Sequence, residues 1–333
     1  MPKMHALTLK AAGILTSHIL LAMTTVVALT TAATAQDYPS KPVRLIVPFP
    51  PGGFNDIVAR LVATQLSDRL GKQVVVDNRT GAGGVIGTEL VANAPPDGHT
   101  LLIASLALTI NPWFHKVSHD PTKSFAPVAL LATAPNVIAI QPDLPFKSVK
   151  DLIAAARKTP GKLQYASAGV GSFMHMGPEL FKQMAKVDIL HVPFRGAGPA
   201  LIDVMGGNTH MSFASLPSGM THFRSGKLRA LAVGSTKRNP MIPDVPTIAE
   251  SGLPGYQFAN SIGIVAPAGT PPAVVARLHK ELSAIQDSPE LKKAFAREGA
   301  DAVRISSAEY GKFIATETAK FGRLVKEGGI KPQ

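Results

Sequence analysis

The 333-residue sequence contains no cysteine, which excludes disulfide staples, thiolate metal sites, a cysteine nucleophile and an acyl anchor on a lipobox cysteine. A single tryptophan, Trp113, and four tyrosines offer no platform on which bases could stack, and the basic residues are scattered rather than clustered. Nucleic acid is therefore not an expected partner. Acidic side chains are scarce beside basic ones, 22 against 34, leaving a net charge of +12. That balance biases the surface toward small acidic partners. Beyond residue 35, no apolar run reaches the roughly 20 residues of a membrane span without meeting a charge, a proline or a glycine.

Several chemical signatures are missing as well. Gly169-Val170-Gly171-Ser172 and Gly81-Ala82-Gly83-Gly84 open like dinucleotide fingerprints, but Met174 and Ile86 stand where the third glycine belongs. The 81–84 segment reads instead as a tight turn leading into a helix. No phosphate-binding P-loop is present. His115 and His119 have the i, i+4 spacing of metal ligands, yet Asp120 and Pro121 follow at once and no HExxH pattern surrounds them. A G-x-S-x-G nucleophile elbow is absent too. Asp56, Asp188 and Asp203 each read as a cap or a helix-surface residue, without the pairing that acid–base work demands. No cofactor, metal or catalytic residue is expected.

What is present begins with Lys3, Lys10, an apolar stretch over residues 19–29 and Ala33-Thr34-Ala35. That is the layout of a secretory signal peptide over residues 1–35, and it implies export. The rest, about 300 residues, is enough for two packed lobes. Strand and helix patterns alternate along it: strands at 43–49, 74–77, 100–104, 163–166, 189–193, 210–214 and 228–233, with helices at 55–70, 84–94, 148–158, 174–185 and 198–205. Such alternation predicts an α/β fold with a parallel sheet covered by helices. Two long apolar segments, 126–140 and 258–266, are expected to carry the chain into a second lobe and back. The division that follows is 36–136 plus 260–333 for one lobe and 137–259 for the other. Helices at 271–286, 289–298 and 307–327 complete the chain, the last two separated by a short strand near Val303.

In open α/β sheets ligands collect beyond the carboxyl ends of strands. The loops following strands are 48–56, 105–111, 167–175 and 193–199, all rich in glycine, serine, threonine or asparagine. The first is the most telling. Val43 to Asp56, VRLIVPFPPGGFND, is a β-branched run that stops at prolines and glycines and restarts as a helix, and the unpartnered amides of a first helical turn suit a small oxyanion. Asn55 and Asp56 are candidates to cap or contact it. His175 has two open readings, a functional imidazole or a helix residue bonded to its own loop. Arg195, at the mouth of its loop, reads either as a carboxylate clamp or as a surface charge.

Eight segments taken in order resemble the motifs of one known family: YPSKPVRLIVPFPPGGFNDIVAR at 38–60, VDNRTGAGGVIG at 76–87, PPDGHTLL at 95–102, INP at 110–112, HVPFRGAGPAL at 191–201, GKLRALAV at 226–233, VPTIAESGLPGY at 245–256 and APAGTPPAVVARL at 266–278. The chain resembles the periplasmic solute-binding receptors of tripartite tricarboxylate transporters, the Bug proteins. The resemblance implies a type II periplasmic binding fold, two Rossmann-like lobes joined by two crossing strands, with no enzymatic activity and no cofactor. It implies capture of a small carboxylate between the lobes and delivery to a membrane permease, by a receptor expected to act as a monomer. The same architecture would also serve a signalling partner, or an exported enzyme acting on a small organic acid.

Carried over by position, the ligand would be held by Phe49, Gly52, Gly53, Phe54, Asn55 and Asp56 of the first loop and by Ser167, Gly169, Gly171, Ser172 and His175 of the third. Ser105 and Thr109, Arg195 and Gly196, and Ser215 would line the remainder. Three departures from the family pattern stand out: Ala214-Ser215 replaces a common Asp-Asn, Asn260-Ser261-Ile262 lies where an aromatic often stands, and Leu106-Ala107-Leu108 replaces a glycine-rich stretch. Together they predict a less polar or bulkier distal pocket.

Overall fold

The computed structural model describes residues 38–330, so the expected signal peptide at 1–35 lies outside the described residues. The β-branched run VRLIV forms β1 (Val43–Val47) because every side chain but Arg44 buries completely on a sheet covered on both faces. It pairs in parallel with β2 (Val74–Asn78) on one side and β3 (Thr100–Ala104) on the other. Between them run α1 (Phe54–Leu70), closed by Gly71 in the left-handed conformation at φ 66°, and α2 (Val85–Ala92). A short turn of helix, α3 (Ala107–Ile110), then leads to β4 (Phe125–Ile140), a strand of 16 residues.

The next stretch repeats the pattern with α4 (Val149–Lys158), β5 (Gln164–Ser167), α5 (Phe173–Ala185), β6 (Leu190–Pro193), α6 (Ala197–Met205), β7 (Met211–Ser215), α7 (Leu216–Arg224) and β8 (Arg229–Val233). The chain returns along β9 (Ala259–Pro267) and finishes with α8 (Pro272–Asp287), α9 (Pro289–Arg297), β10 (Asp301–Ala302) and α10 (Ser307–Glu327). Ser148 caps α4 by accepting from Asp151 N at 3.2 Å, and Ser306 with Glu309 closes a reciprocal capping box on α10.

The strand order is β2-β1-β3-β9-β4-β7-β5-β6, with β8 and β10 also on β4. The sheet is mixed, and this corrects the expectation of a parallel one. β1–β3 are parallel among themselves, as are β5–β7, but β4 and β9 run antiparallel to each other and to their other neighbours. The cause is topological. One crossing strand leads out and the other leads back, so their direct pairing, from Phe125 opposite Pro267 to Pro135 opposite Ala259, has to be antiparallel. From Asn136 onward β4 exchanges β9 for β7 and β8.

α7 was not foreseen, because LPSGMTHFR contains both proline and glycine. Pro217 falls in the first turn, where a missing N–H is harmless. Gly219 sits where a Cβ would come 2.5 Å from the Phe223 ring. The C-terminal helix bridges the two halves of the core: Tyr310 and Ile314 pack with Ile46, Leu102 and Val265, whereas Phe321 and Val325 belong to the cluster of Ile138, Tyr165 and Phe213.

Candidate functional site

β1 runs toward the cavity from one side and β5, β6 and β7, pointing the opposite way, run toward it from the other, each delivering the N-terminus of the helix that follows it. The four ends meet around a cavity of about 40 Å³, lined from α1 by Gly53, Phe54 and Asn55, from α5 by Ser172, Phe173 and Met174, from α6 by Ala197, and from α7 by Ser218 with its N-cap Ser215. Ser105 and Asn260 complete the polar lining, and Phe49, Pro50 and Ala168 the apolar wall. The space corresponds to roughly three water positions. Among the described residues no charged side chain lines it. Positive potential comes instead from the helix termini, each equivalent to roughly half an elementary charge. In the first turns, the Gly53, Asn55, Phe173 and Met174 amides take no acceptor among the described residues.

The β1–α1 loop is set by Asp56, whose carboxylate turns away from the cavity. Its Oδ2 accepts from Gly52 N at 3.0 Å and from Arg60 Nε at 2.9 Å, and its Oδ1 accepts from Asn78 Nδ2 at 3.1 Å. The same Asn78 amide donates to Phe49 O at 2.9 Å. Burial would push the Asp56 carboxyl up, but the Arg60 guanidinium, the Gly52 N–H and the Asn78 amide together hold it below its ordinary value. Asp56 and Gly52 thus shape the loop, and neither reaches the cavity.

Across the cavity Ser167 and His175 are structural in the same sense. Ser167 is buried, its Oγ 2.6 Å from His191 Nε2 and accepting from Gly169 N at 3.1 Å. His175 Nδ1 accepts from Gly171 N at 3.3 Å, and its ring stacks on His191 at 4.4 Å with the Phe114 ring edge-on at 5.0 Å. Burial, then the charges of His191, Lys182 and His115, lowers its pKa to about 3. The structure bonds the His175 imidazole to its own loop, and its burial favours the neutral form. Thr109 is likewise turned inward, donating to Leu106 O at 2.8 Å.

Arg195, Gly196 and Gly169 border a separate outer crevice of about 580 Å³ that shares Phe49, Pro50 and Ala168 with the inner cavity. Here the two halves touch directly. A Cβ on Gly83, at φ 62°, would lie 2.1 Å from Val170 O, and one on Gly196 would lie 2.7 Å from Pro50 Cγ. His115 Nε2 sits 3.1 Å from Val170 O, the distance of an N–H donating to that carbonyl. Phe54 N donates to Ser218 Oγ at 3.2 Å, and Ser218 Oγ lies 2.8 Å from Ser215 Oγ. A larger crevice of about 760 Å³ is lined by Glu179 and Lys182, but those charges already pair with each other at 2.8 Å.

Three cavity-lining side chains have atoms with no hydrogen-bond partner among the described residues: Asn55 Nδ2, Ser172 Oγ and Asn260 Oδ1, on residues 6%, 1% and 4% exposed. Leaving such a group unsatisfied costs about 1–3 kcal/mol. Ser218 and Asn260 were missed as contacts. Ser218 follows a proline in a helix that the pattern hid, while Asn260 had a signal, its departure from an aromatic in the family pattern. Asn260 brings an amide into the lining of the cavity. Leu106 and Leu108 are not among the lining residues and bury at 3% and 2% in the core.

The chain is similar to known proteins along most of its length. A family profile described as tripartite tricarboxylate transporter family receptor matches residues 58–330. A UPF0065 protein from the tcbD-tcbE intergenic region of Pseudomonas sp. strain P51 is 40% identical over 93% of this chain and 92% of its own length. Protein BugT of Bordetella pertussis is 37% identical, covering 89% of this chain and 92% of its own. Among solved structures, an R. palustris protein with adipate aligns at a TM-score of 0.86 with 36% identity, covering 89% of this chain and 100% of its own. MatC from Rhodopseudomonas palustris with bound malate aligns at 0.82 with 32% identity, covering 86% and 100%. With the profile spanning most of the sequence and two relatives above 35% identity matched nearly end to end, the chain belongs to the receptor family of the tripartite tricarboxylate transporters.

Proposed function

We propose that the protein captures one carboxylate end of a small organic acid in the inner cavity and presents the closed complex to a membrane permease of the tripartite tricarboxylate type. The observation that carries this reading is the meeting of four helix N-termini on a cavity without a single charged side chain. Micromolar affinity requires about 8 kcal/mol. Hydrogen bonds to a charged group contribute roughly 1.5–3 kcal/mol each, so three or four donors from opposite sides approach that figure before closure costs are counted.

The lobes in this reading are 36–136 with 260–333, and 137–259, hinged where β4 changes partners between Pro135 and Asn136. Export through cleavage near Ala35 puts the receptor in the periplasm. Adipate and malate, the acids in the two solved relatives, are the first ligands to test. Arg195 in the outer crevice is positioned for a second carboxylate. Isothermal titration of the purified mature protein should give saturable binding of at least one of these acids with no turnover, and Arg195→Ala should weaken a diacid more than a monoacid. Absence of heat with every mono-, di- and tricarboxylate tried overturns the reading, and conversion of a bound acid reassigns the protein as an enzyme.

A further inference from the structure

Resting on the carboxylate reading, we infer that Asp56 and His175 are matched positioning residues. Each takes up one loop amide with its side chain, and this acceptor, rather than a charge or an imidazole, holds the anion-binding turn of its half in shape. Neither residue lines the cavity. The chain repeats itself at these two places. Gly52-Gly53-Phe54-Asn55-Asp56 enters α1 and Gly171-Ser172-Phe173-Met174-His175 enters α5, and the two turns share one backbone course. Gly52 and Gly171 are left-handed, at φ 85° and 77°. The N-caps Gly53 and Ser172 stand at φ −80°, ψ 166° and φ −78°, ψ 163°. Asp56 N donates to Gly53 O at 3.0 Å, and His175 N donates to Ser172 O at 3.1 Å. The phenylalanine of each turn is buried.

The fifth residues differ in kind and agree in what they do. Asp56 Oδ2 accepts from Gly52 N at 3.0 Å and His175 Nδ1 from Gly171 N at 3.3 Å, four positions back in both cases. The pattern is half of a capping box moved one residue outward: the third helical residue reaches past the N-cap to the glycine before it. The glycine N–H is thereby consumed, while the amide of the second helical residue, Asn55 N in one turn and Met174 N in the other, takes no acceptor among the described residues and belongs to a residue of the cavity wall. The other two helix starts lack the device. The position equivalent to Asp56 is Pro199 in α6, which has no side-chain acceptor, and Ser218 in α7, whose Oγ takes Phe54 N of the facing half at 3.2 Å. Surroundings explain the difference in kind. The Asp56 charge is met by Arg60 Nε at 2.9 Å, whereas His175 packs against the rings of His191 and Phe114, where a neutral acceptor needs no counter-ion. Neither choice sets an uncompensated negative charge beside an anionic ligand.

Asparagine and leucine have nearly the same shape, and only asparagine offers an acceptor where His175 has Nδ1. His175→Asn and His175→Leu both lose the ring stack, so the difference between them reports the acceptor. Hydrogen exchange of the unliganded full-length mature protein, read on segments 48–56 and 167–175, is expected to run roughly tenfold faster over 167–175 in His175→Leu than in His175→Asn, with 48–56 unmoved. Asp56→Leu should do the converse. In isothermal titration with adipate and with malate, His175→Leu and Asp56→Leu are each expected to bind at least roughly tenfold more weakly than the parent, and His175→Asn to recover most of that loss. Melting transitions establish that each variant is folded, and the His175 pair decides the matter if Asp56→Leu is not. Equal exchange over 167–175 in the asparagine and leucine variants, equal affinities of the two, or full affinity in a folded Asp56→Leu overturns the inference. Silence of the parent protein toward both acids counts against the carboxylate reading instead, and the exchange comparison then decides the role of the acceptors without a ligand.

Discussion

Gly53 sits at the start of α1 with φ −80°, and a Cβ there would find its nearest neighbours, Ala197 Cβ and Pro50 O, 3.9 Å away. A side chain is thus tolerated by backbone and packing alike. Gly53→Glu should keep the melting temperature within a few degrees while titration shows binding lost, because its carboxylate occupies the anion position. His175 makes a different prediction. Its folded pKa of about 3 lies below the unfolded value near 6.5, so its contribution to stability is complete above pH 6.5 and is lost as pH falls toward 3. One proton gives a slope of at most about 1.4 kcal/mol per pH unit. Asp56, held low by its partners, adds a further loss as pH falls through its own lowered pKa. Urea midpoints measured from pH 7 to 4 should decline, and His175→Gln, which retains an acceptor for Gly171 N but does not titrate, should flatten that decline. An unchanged profile would count against a buried neutral imidazole. His175 and Asp56 lie in the first turns of α5 and α1, just after loops whose glycine and serine content was visible in the chain. Their inward orientation was not, since it depends on Asn78 and His191, which are remote in sequence.

Among the elements, β4 and α10 decide how the halves communicate. The length of β4 was legible because no turn residue interrupts its apolar run except Pro127 and Pro135, and register shifts between Pro127 and Ala129 and between Leu130 and Ala132 occur within it. The double allegiance of α10 was not legible. An amphipathic pattern shows that one face is buried, never against what. Gly322 in that helix is where a Cβ would come 2.4 Å from Trp113 Cζ2. Gly322→Val should therefore destabilise by about 1–3 kcal/mol through overpacking, read as a lower urea midpoint. A neutral result would show that Trp113 moves aside freely. α7 was lost to propensity for a related reason: proline at its start and glycine beneath a ring are compatible with helix only once the neighbours are known.

For the molecule as a whole, closure depends on how nearly the loops of the two halves can approach. Gly83→Asn keeps a residue type tolerant of left-handed backbone, yet its Cβ would lie 2.1 Å from Val170 O on the opposite side. The substitution should prop the halves apart. Affinity for the ligand should fall at least roughly tenfold, and the shrinkage expected in small-angle scattering when ligand is added to the parent protein should diminish, with little change in unliganded melting. Full affinity would show that this contact plays no part in closing.

The sequence alone determined the α/β alternation, the two crossing segments and the anion-suited loops, because β-branched runs, glycine stops and first-turn amides are local consequences of chain chemistry. It also determined, through eight ordered motifs, the family. The tertiary structure alone decided which loop residues face the cavity and which fasten the loops, that the crossing strands pair antiparallel, and that Asn260 and Ser218 line the cavity. Those outcomes depend on contacts between residues separated in the chain, by 22 positions for Asp56 and Asn78 and by 164 for Phe54 and Ser218, where the identity of a side chain says what it is able to bond and only the packing says what it meets.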